Sequence, residues 1–255
     1  TFKSLFGAET NFWFGRTWAP SYAWDSDISE DEYLSENSNR SITLLWDNTL
    51  TYNKRFDDGS KITAVIGTSA QENRFNTMNG SIQDFSSEST QQLDNGTNQM
   101  QVGGNSSEWA IFSYFARATF DYQSKYLLTA TVRRDGSSRF GEGNKYGTFP
   151  SASAAWRLSE EEFLTDSNTI NDLKLRAGYG ITGNQEIGNY AFASAYNTNL
   201  YNFNGNLVTA AVPTVLPNAN VQWESQEQYN IGLDASLLNN SIDLTLDFYR
   251  KDTED

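Results

Sequence analysis

In the stretch SITLLWDNTLTYNK, residues 41–54, the even positions Ile42, Leu44, Trp46, Leu50 and Tyr52 are apolar, with Asn48 the exception. The odd positions include Thr43, Asp47, Thr49, Thr51 and Asn53. A period of two sends successive side chains to opposite faces, so this stretch reads as a strand with one apolar and one polar face. Ile62, Ala64 and Ile66 repeat the pattern against Lys61 and Thr63. So do Ala110, Phe112, Tyr114, Ala116, Ala118, Phe120 and Tyr122 against Arg117, Thr119 and Asp121. Tyr126, Leu128, Ala130 and Val132 alternate with Thr129, Thr131 and Arg133, and Leu173, Leu175, Ala177, Tyr179 and Ile181 with Lys174, Arg176 and Gly178. Two more runs close the series, Tyr229 to Leu237 and Ile242 to Phe248, while 2–14 and 148–158 are weaker examples. The pattern predicts about nine strands, many longer than the ~5–6 residues usual in globular proteins.

The connections carry a second signal. RFDDG (55–59), QSK (123–125) and LNNS (238–241) are short turns. Between them lie long polar stretches at 18–39, 74–106 and 185–221, rich in Ser, Asn, Thr, Gln and Gly. Long and short connections alternate, as in an up-and-down barrel with short turns at one end and long loops at the other. By parity RRDGSSRFGEGNKYG (133–147) falls on the long-loop side. The segment 159–171 falls on the short side, where Ser159 and Glu162 have capping-box spacing and predict one helical turn.

Composition narrows the chemistry. The 255 residues carry a formal charge of −14, which argues against a nucleic-acid partner. There is no cysteine and no histidine, which excludes thiol chemistry, Cys/His zinc sites and a Ser-His-Asp triad. No run approaches the roughly 18 apolar residues of a membrane helix, but barrel strands alternate and escape that criterion. Thr1-Phe2-Lys3 does not open a signal peptide, and the chain is expected to begin inside a longer protein. The acidic stretches DNGTN and DSDISEDE lack the spacing of an EF-hand loop.

YLLTATVRRDGSSRFGEGNKYGTFPSASAAWRLSEEEFL, then LKLRAGYGITGNQEIGNY, then NANVQWESQEQYNIGLDASLLNNSIDLTLDFYRKDTED follow in order over most of 124–255. They resemble the SusC/RagA-like TonB-dependent outer-membrane transporters. The first 120 residues match that family only in their strand-and-loop style. The resemblance implies an all-β, antiparallel up-and-down transmembrane barrel in the outer membrane of a Gram-negative bacterium. Residues 1–255 would be an incomplete segment of it, without the plug domain and the TonB-contacting segment. It implies import of oligosaccharides or peptides driven through the TonB complex, a SusD-like surface lipoprotein as partner, lipid around the barrel, no cofactor and no enzymatic reaction. A soluble β-sandwich glycan-binding module and an outer-membrane adhesin or enzyme remain alternatives.

Two groups of residues are candidates for a site. Arg133, Arg134, Asp135 and Arg139 form a polar motif at the end of a strand. It has neither P-loop spacing nor a base–orienter set, so it reads chiefly as a strand-to-loop transition at the barrel rim. Tyr190, Phe192, Tyr196, Tyr201 and Phe203 lie in one loop and could contact substrate or the lipoprotein lid, aromatic rings combining apolar area with a polar handle. Glu224 and Glu227 fall on opposite strand faces, which argues against a glycosidase pair. Trp223 reads as an interface anchor at the start of a strand.

Overall fold

The computed structural model describes residues 1–25, 27–29, 31–165 and 167–254. Ser26 and Glu30 of the acidic stretch DSDISEDE, and Asp166 of the segment 159–171, lie outside them. Thirteen strands are present among the described residues: β1 Phe2–Ala19, β2 Tyr22–Trp24, β3 Asp27–Ser29, β4 Tyr33–Arg55, β5 Lys61–Phe85, β6 Gly96–Tyr122, β7 Tyr126–Ser137, β8 Tyr146–Arg157, β9 Ile170–Asn184, β10 Ala195–Phe203, β11 Asn206–Val215, β12 Glu224–Leu237 and β13 Ile242–Glu254. Nine of them form one sheet in the order β1-β4-β5-β6-β7-β8-β9-β12-β13. That is chain order, the up-and-down arrangement expected of a barrel wall, with β1 and β13 as its two edges. The pairs β2–β3 and β10–β11 stand apart as two-stranded ribbons.

The chain divides into two compact units. The larger comprises Thr1–Leu5, Trp46–Ala70 and the chain from Ala110 onward. Its registers turn the one-dimensional alternation into rows. Phe120 pairs with Leu128, Leu128 with Ala154, Ala154 with Ala177, Ala177 with Ile231, and Ile231 with Phe248. Phe120 is half-buried, and Leu128, Ile231 and Phe248 are exposed. Shifted by one residue, Thr119 pairs with Thr129, Thr129 with Ser153, Ser153 with Gly178, and Gly178 with Asn230. One face of this sheet is therefore apolar and open, and the other is polar. Aromatic rings gather at the short-turn end of the apolar face. Tyr122 lies 6.2 Å from Tyr126, and Tyr126 stacks on Trp156 at 6.3 Å.

Charges on the polar face neutralise one another. Asp234 on β12 accepts from Arg176 and Lys174 on β9, each at 2.9 Å. Arg176 also reaches Asp247 on β13 at 3.1 Å, across the residue between them in register, Gly232. A Cβ at that position would lie 2.6 Å from the Asp247 carboxylate and 2.7 Å from the guanidinium. Glycine there lets one arginine bind carboxylates on two strands.

The smaller unit comprises Phe6–Leu45 and Gln71–Trp109. Leu34, Ile82 and Phe85 form its core, with Trp18 meeting Phe85 edge-on at 4.8 Å and Leu93 alongside. Arg16 pairs with Glu36 and donates to the carbonyl of Gln91. This unit corrects the expectation of long loops at 18–39 and 74–106. Much of both stretches is strand, within β4, β5 and β6. Beyond the cluster of Leu34, Ile82 and Phe85, polar side chains tie these strands together. Asn73 donates to Ser41 and Thr43, each at 2.9 Å, and Thr77 donates to Asn39 at 2.5 Å. Such cross-strand polar pairs stabilise a sheet without any apolar alternation.

The segment after β8 makes a single 3-10 turn, Leu158–Glu160, with no side-chain cap. The capping box does not form, because Ser159 donates to Asp172 at 2.8 Å.

Candidate functional site

The polar motif that ends β7 divides between the two faces of the sheet. Arg133 and Asp135 lie on the polar face, two residues apart, with the guanidinium Nε 2.7 Å from the carboxylate. Arg133 also donates to the Ser113 hydroxyl at 2.9 Å. Ser113 and Ser137 are 1 % exposed and Asp135 is buried, so the ion pair rests on a closed polar floor. Arg134, on the opposite face, lies over the Tyr146 ring at 5.1 Å. Arg139 reaches a different segment. It donates to the Asn189 side chain and the Gln185 carbonyl, each at 3.0 Å, and pairs with Glu186 at 3.1 Å. The four motif residues are thus not one cluster. Arg133 and Asp135 brace β7 against β6, and Arg139 fastens the loop after β7 to the loop after β9.

An aromatic knot completes that fastening. Phe140 is fully buried, and its ring centroid lies 5.0 Å from that of Trp223. Trp223 meets Phe149 edge-on at 5.3 Å and donates its indole N–H to the Lys145 carbonyl at 3.1 Å. Asn144 donates to the Val221 carbonyl at 3.2 Å. Trp223 is therefore held in this knot while remaining half-buried. Its partners are up to 83 residues away (223 − 140), and no local pattern links them.

The five loop aromatics separate as well. Tyr190 has φ of 64° beside the Arg139 contacts, and Phe192 lies against Gly141. Tyr196, Tyr201 and Phe203 project from the β10–β11 ribbon, all exposed. The ribbon turns at Asn204-Gly205, with φ of 53° and 84°, the left-handed pair of a two-residue I′ hairpin turn. The dipeptide between two apolar runs is the signal in the sequence for this hairpin. In register Tyr196 and Leu200 share a face with Leu207 and Pro213, and Tyr201 and Phe203 share the other with Val208 and Val212.

At the short-turn end, Glu161 accepts from the Tyr126 hydroxyl at 2.7 Å and the Trp156 indole at 3.0 Å, with Lys125 at 3.5 Å. The Tyr126 hydrogen bond, then the indole and the ammonium, hold its carboxyl below the usual glutamate range. A depressed carboxyl stabilises the fold above its unfolded pKa, and that contribution disappears as pH falls through the folded value. The stability difference between the natural protein and Glu161→Gln is therefore expected at neutral pH and should shrink in acid, below the ordinary carboxylate range. Denaturant titrations of both proteins at several pH values read it, and a pH-independent difference would contradict the assignment.

Three comparisons place this geometry among known proteins. The family model described as TonB dependent receptor-like, beta-barrel matches residues 3–255. TonB-dependent receptor P39 of Formosa agariphila is 37% identical over 211 residues, covering 82% of this chain and 20% of that protein. TonB-dependent receptor SusC of Bacteroides thetaiotaomicron is 41% identical over 150 residues, covering 57% of this chain and 15% of that one. Among solved structures, the RagAB peptide transporter superposes with a TM-score of 0.90 at 27% identity, over 99% of this chain and 28% of that chain. The chain spans about a fifth of the length of the P39 relative it matches.

Proposed function

This chain belongs to the TonB dependent receptor-like β-barrel family, and from that premise we propose that it forms part of the barrel wall of a SusC/RagA-like importer in the outer membrane. The apolar rows of its sheet face lipid hydrocarbon and the polar rows face the lumen. The observation that carries this reading is the exposure of Leu128, Ile231, Leu244 and Phe248 on one face of an up-and-down antiparallel sheet. A β-sandwich would bury such residues against a second sheet.

The sheet has two edges, β1 and β13. In hydrocarbon their unpaired backbone groups would be costly, so this reading requires further strands to close the barrel. A plug domain and a TonB-contacting segment belong to the same larger assembly. The cargo is an oligosaccharide or a peptide, energy comes through TonB, and a surface lipoprotein is the partner. No bond is made or broken in the cargo. Tyr196, Tyr201 and Phe203 face the partner, while Arg133, Asp135 and Arg139 hold the rim.

Uptake tests this reading. Cells carrying the complete receptor should take up a labelled oligosaccharide or peptide, and uptake should stop on removal of residues 1–255 or on collapse of the proton gradient. Uptake that continues under either treatment would contradict it.

A further inference from the structure

We infer that the β10–β11 ribbon is a docking blade gripped on both faces by an uncharged cleft of a protein partner. The inference rests on the import reading for the identity of that partner, the surface lipoprotein, and goes beyond it in the manner of contact.

Charge provides the first ground. The chain is 20% charged, yet residues 187–223 contain no Asp, Glu, Lys or Arg. Depletion of charge marks the centre of protein interfaces. An anionic lipid headgroup finds no cation here.

Exposure provides the second. Leu200 and Leu207 are 70% and 68% exposed on one face, and Tyr201 and Phe203 are 62% and 68% exposed on the other. An isolated hairpin is marginal in water, and this one has no covered face to stabilise it. A partner on one face would leave the other row wet. The aliphatic residues favour a protein cleft over a sugar as the occupant. Leu200, Leu207, Val208, Val212 and Val215 are all exposed, and branched aliphatic side chains offer neither the flat ring that stacks on a sugar nor a hydrogen bond to its hydroxyls.

Anchoring provides the third. The chain entering the ribbon is fixed by Arg139 at Gln185, Glu186 and Asn189, and the chain leaving it by Asn144 at Val221 and by the Trp223 knot. A blade fixed at both feet presents its faces with less ordering entropy left to lose on binding.

Single cysteines test this, since the chain has none of its own. Leu200→Cys and Val208→Cys report the two faces. Each is made in the complete receptor and treated with a membrane-impermeant maleimide, with and without the lipoprotein. Both sites should label in the receptor alone, and both should label about tenfold or more slowly in the complex, as buried sites that open only rarely do. Leu200→Asp and Val208→Asp should each reduce co-purification of the lipoprotein about tenfold, a loss within the range of single interface anchors, with the receptor still assembled in the membrane. Protection of one face alone would overturn the two-faced grip. Labelling unchanged in a complex that does form would overturn the docking role and leave the import reading standing. Protection already present in the receptor alone would overturn it too, since its own chain or a second copy would then cover the ribbon. Failure of the unaltered receptor to bind any lipoprotein would overturn both readings.

Discussion

Leu128→Arg is expected to prevent assembly of the barrel, and Thr129→Arg, its immediate neighbour, to be tolerated. Leu128 is exposed on the apolar face between Phe120 and Ala154 in register. With lipid against that face, an arginine near mid-bilayer costs about 2–4 kcal/mol. Thr129 faces the opposite way, between Thr119 and Ser153, where the new guanidinium meets hydroxyls and water. The two substitutions add the same charge one residue apart, so local strand propensity cannot separate their effects. Outer-membrane fractionation and the heat-dependent gel shift of a folded barrel provide the readout. Equal assembly of the two variants would show that lipid does not contact the Leu128 face.

Phe140→Ala should release the loops without dismantling the wall. Phe140 is fully buried against Trp223, and removal of a buried phenylalanine side chain costs about 3–5 kcal/mol. The loss falls on contacts that join 137–147 to 185–223 and leaves the ladder between β7 and β8 intact. Amide exchange should accelerate across 185–223, and proteases should cut there first, while the strands on either side keep their protection. Phe140→Leu should give a smaller change of the same kind. Loss of protection in β7 and β8 to the same extent would mean that the knot stabilises the sheet itself.

What the sequence discloses follows from where period two has a physical cause. From β6 residue 110 through β7, and again in β9, β12 and β13, one face is apolar and the other polar, and alternation locates these strands closely. β8 is fainter, because Pro150, Ala152 and Ala154 occupy its apolar positions and carry little hydrophobic contrast. The polar lengths of β4, β5 and β6 escape notice, because hydroxyl and amide contacts such as Thr77 to Asn39 leave no periodic trace. The β10–β11 hairpin does leave a trace in Asn204-Gly205, although its apolar residues on both faces obscure any alternation. For the site, residue types point to polar and aromatic groups at the long-loop end. Sequence spacing cannot show that Arg139 reaches Glu186 or that Trp223 meets Phe140, contacts fixed only when the strands are in register.

A spin-label scan measures directly which medium each face of the sheet meets. Labels placed singly along 126–132 of the complete receptor in lipid bilayers should report contact with dissolved oxygen at Tyr126, Leu128, Ala130 and Val132. At Leu127, Thr129 and Thr131 they should report contact with a water-soluble nickel complex or burial within the lumen, without the oxygen signal of hydrocarbon. An accessibility profile without that two-residue period, or with water at Leu128 and hydrocarbon at Thr129, would contradict the account.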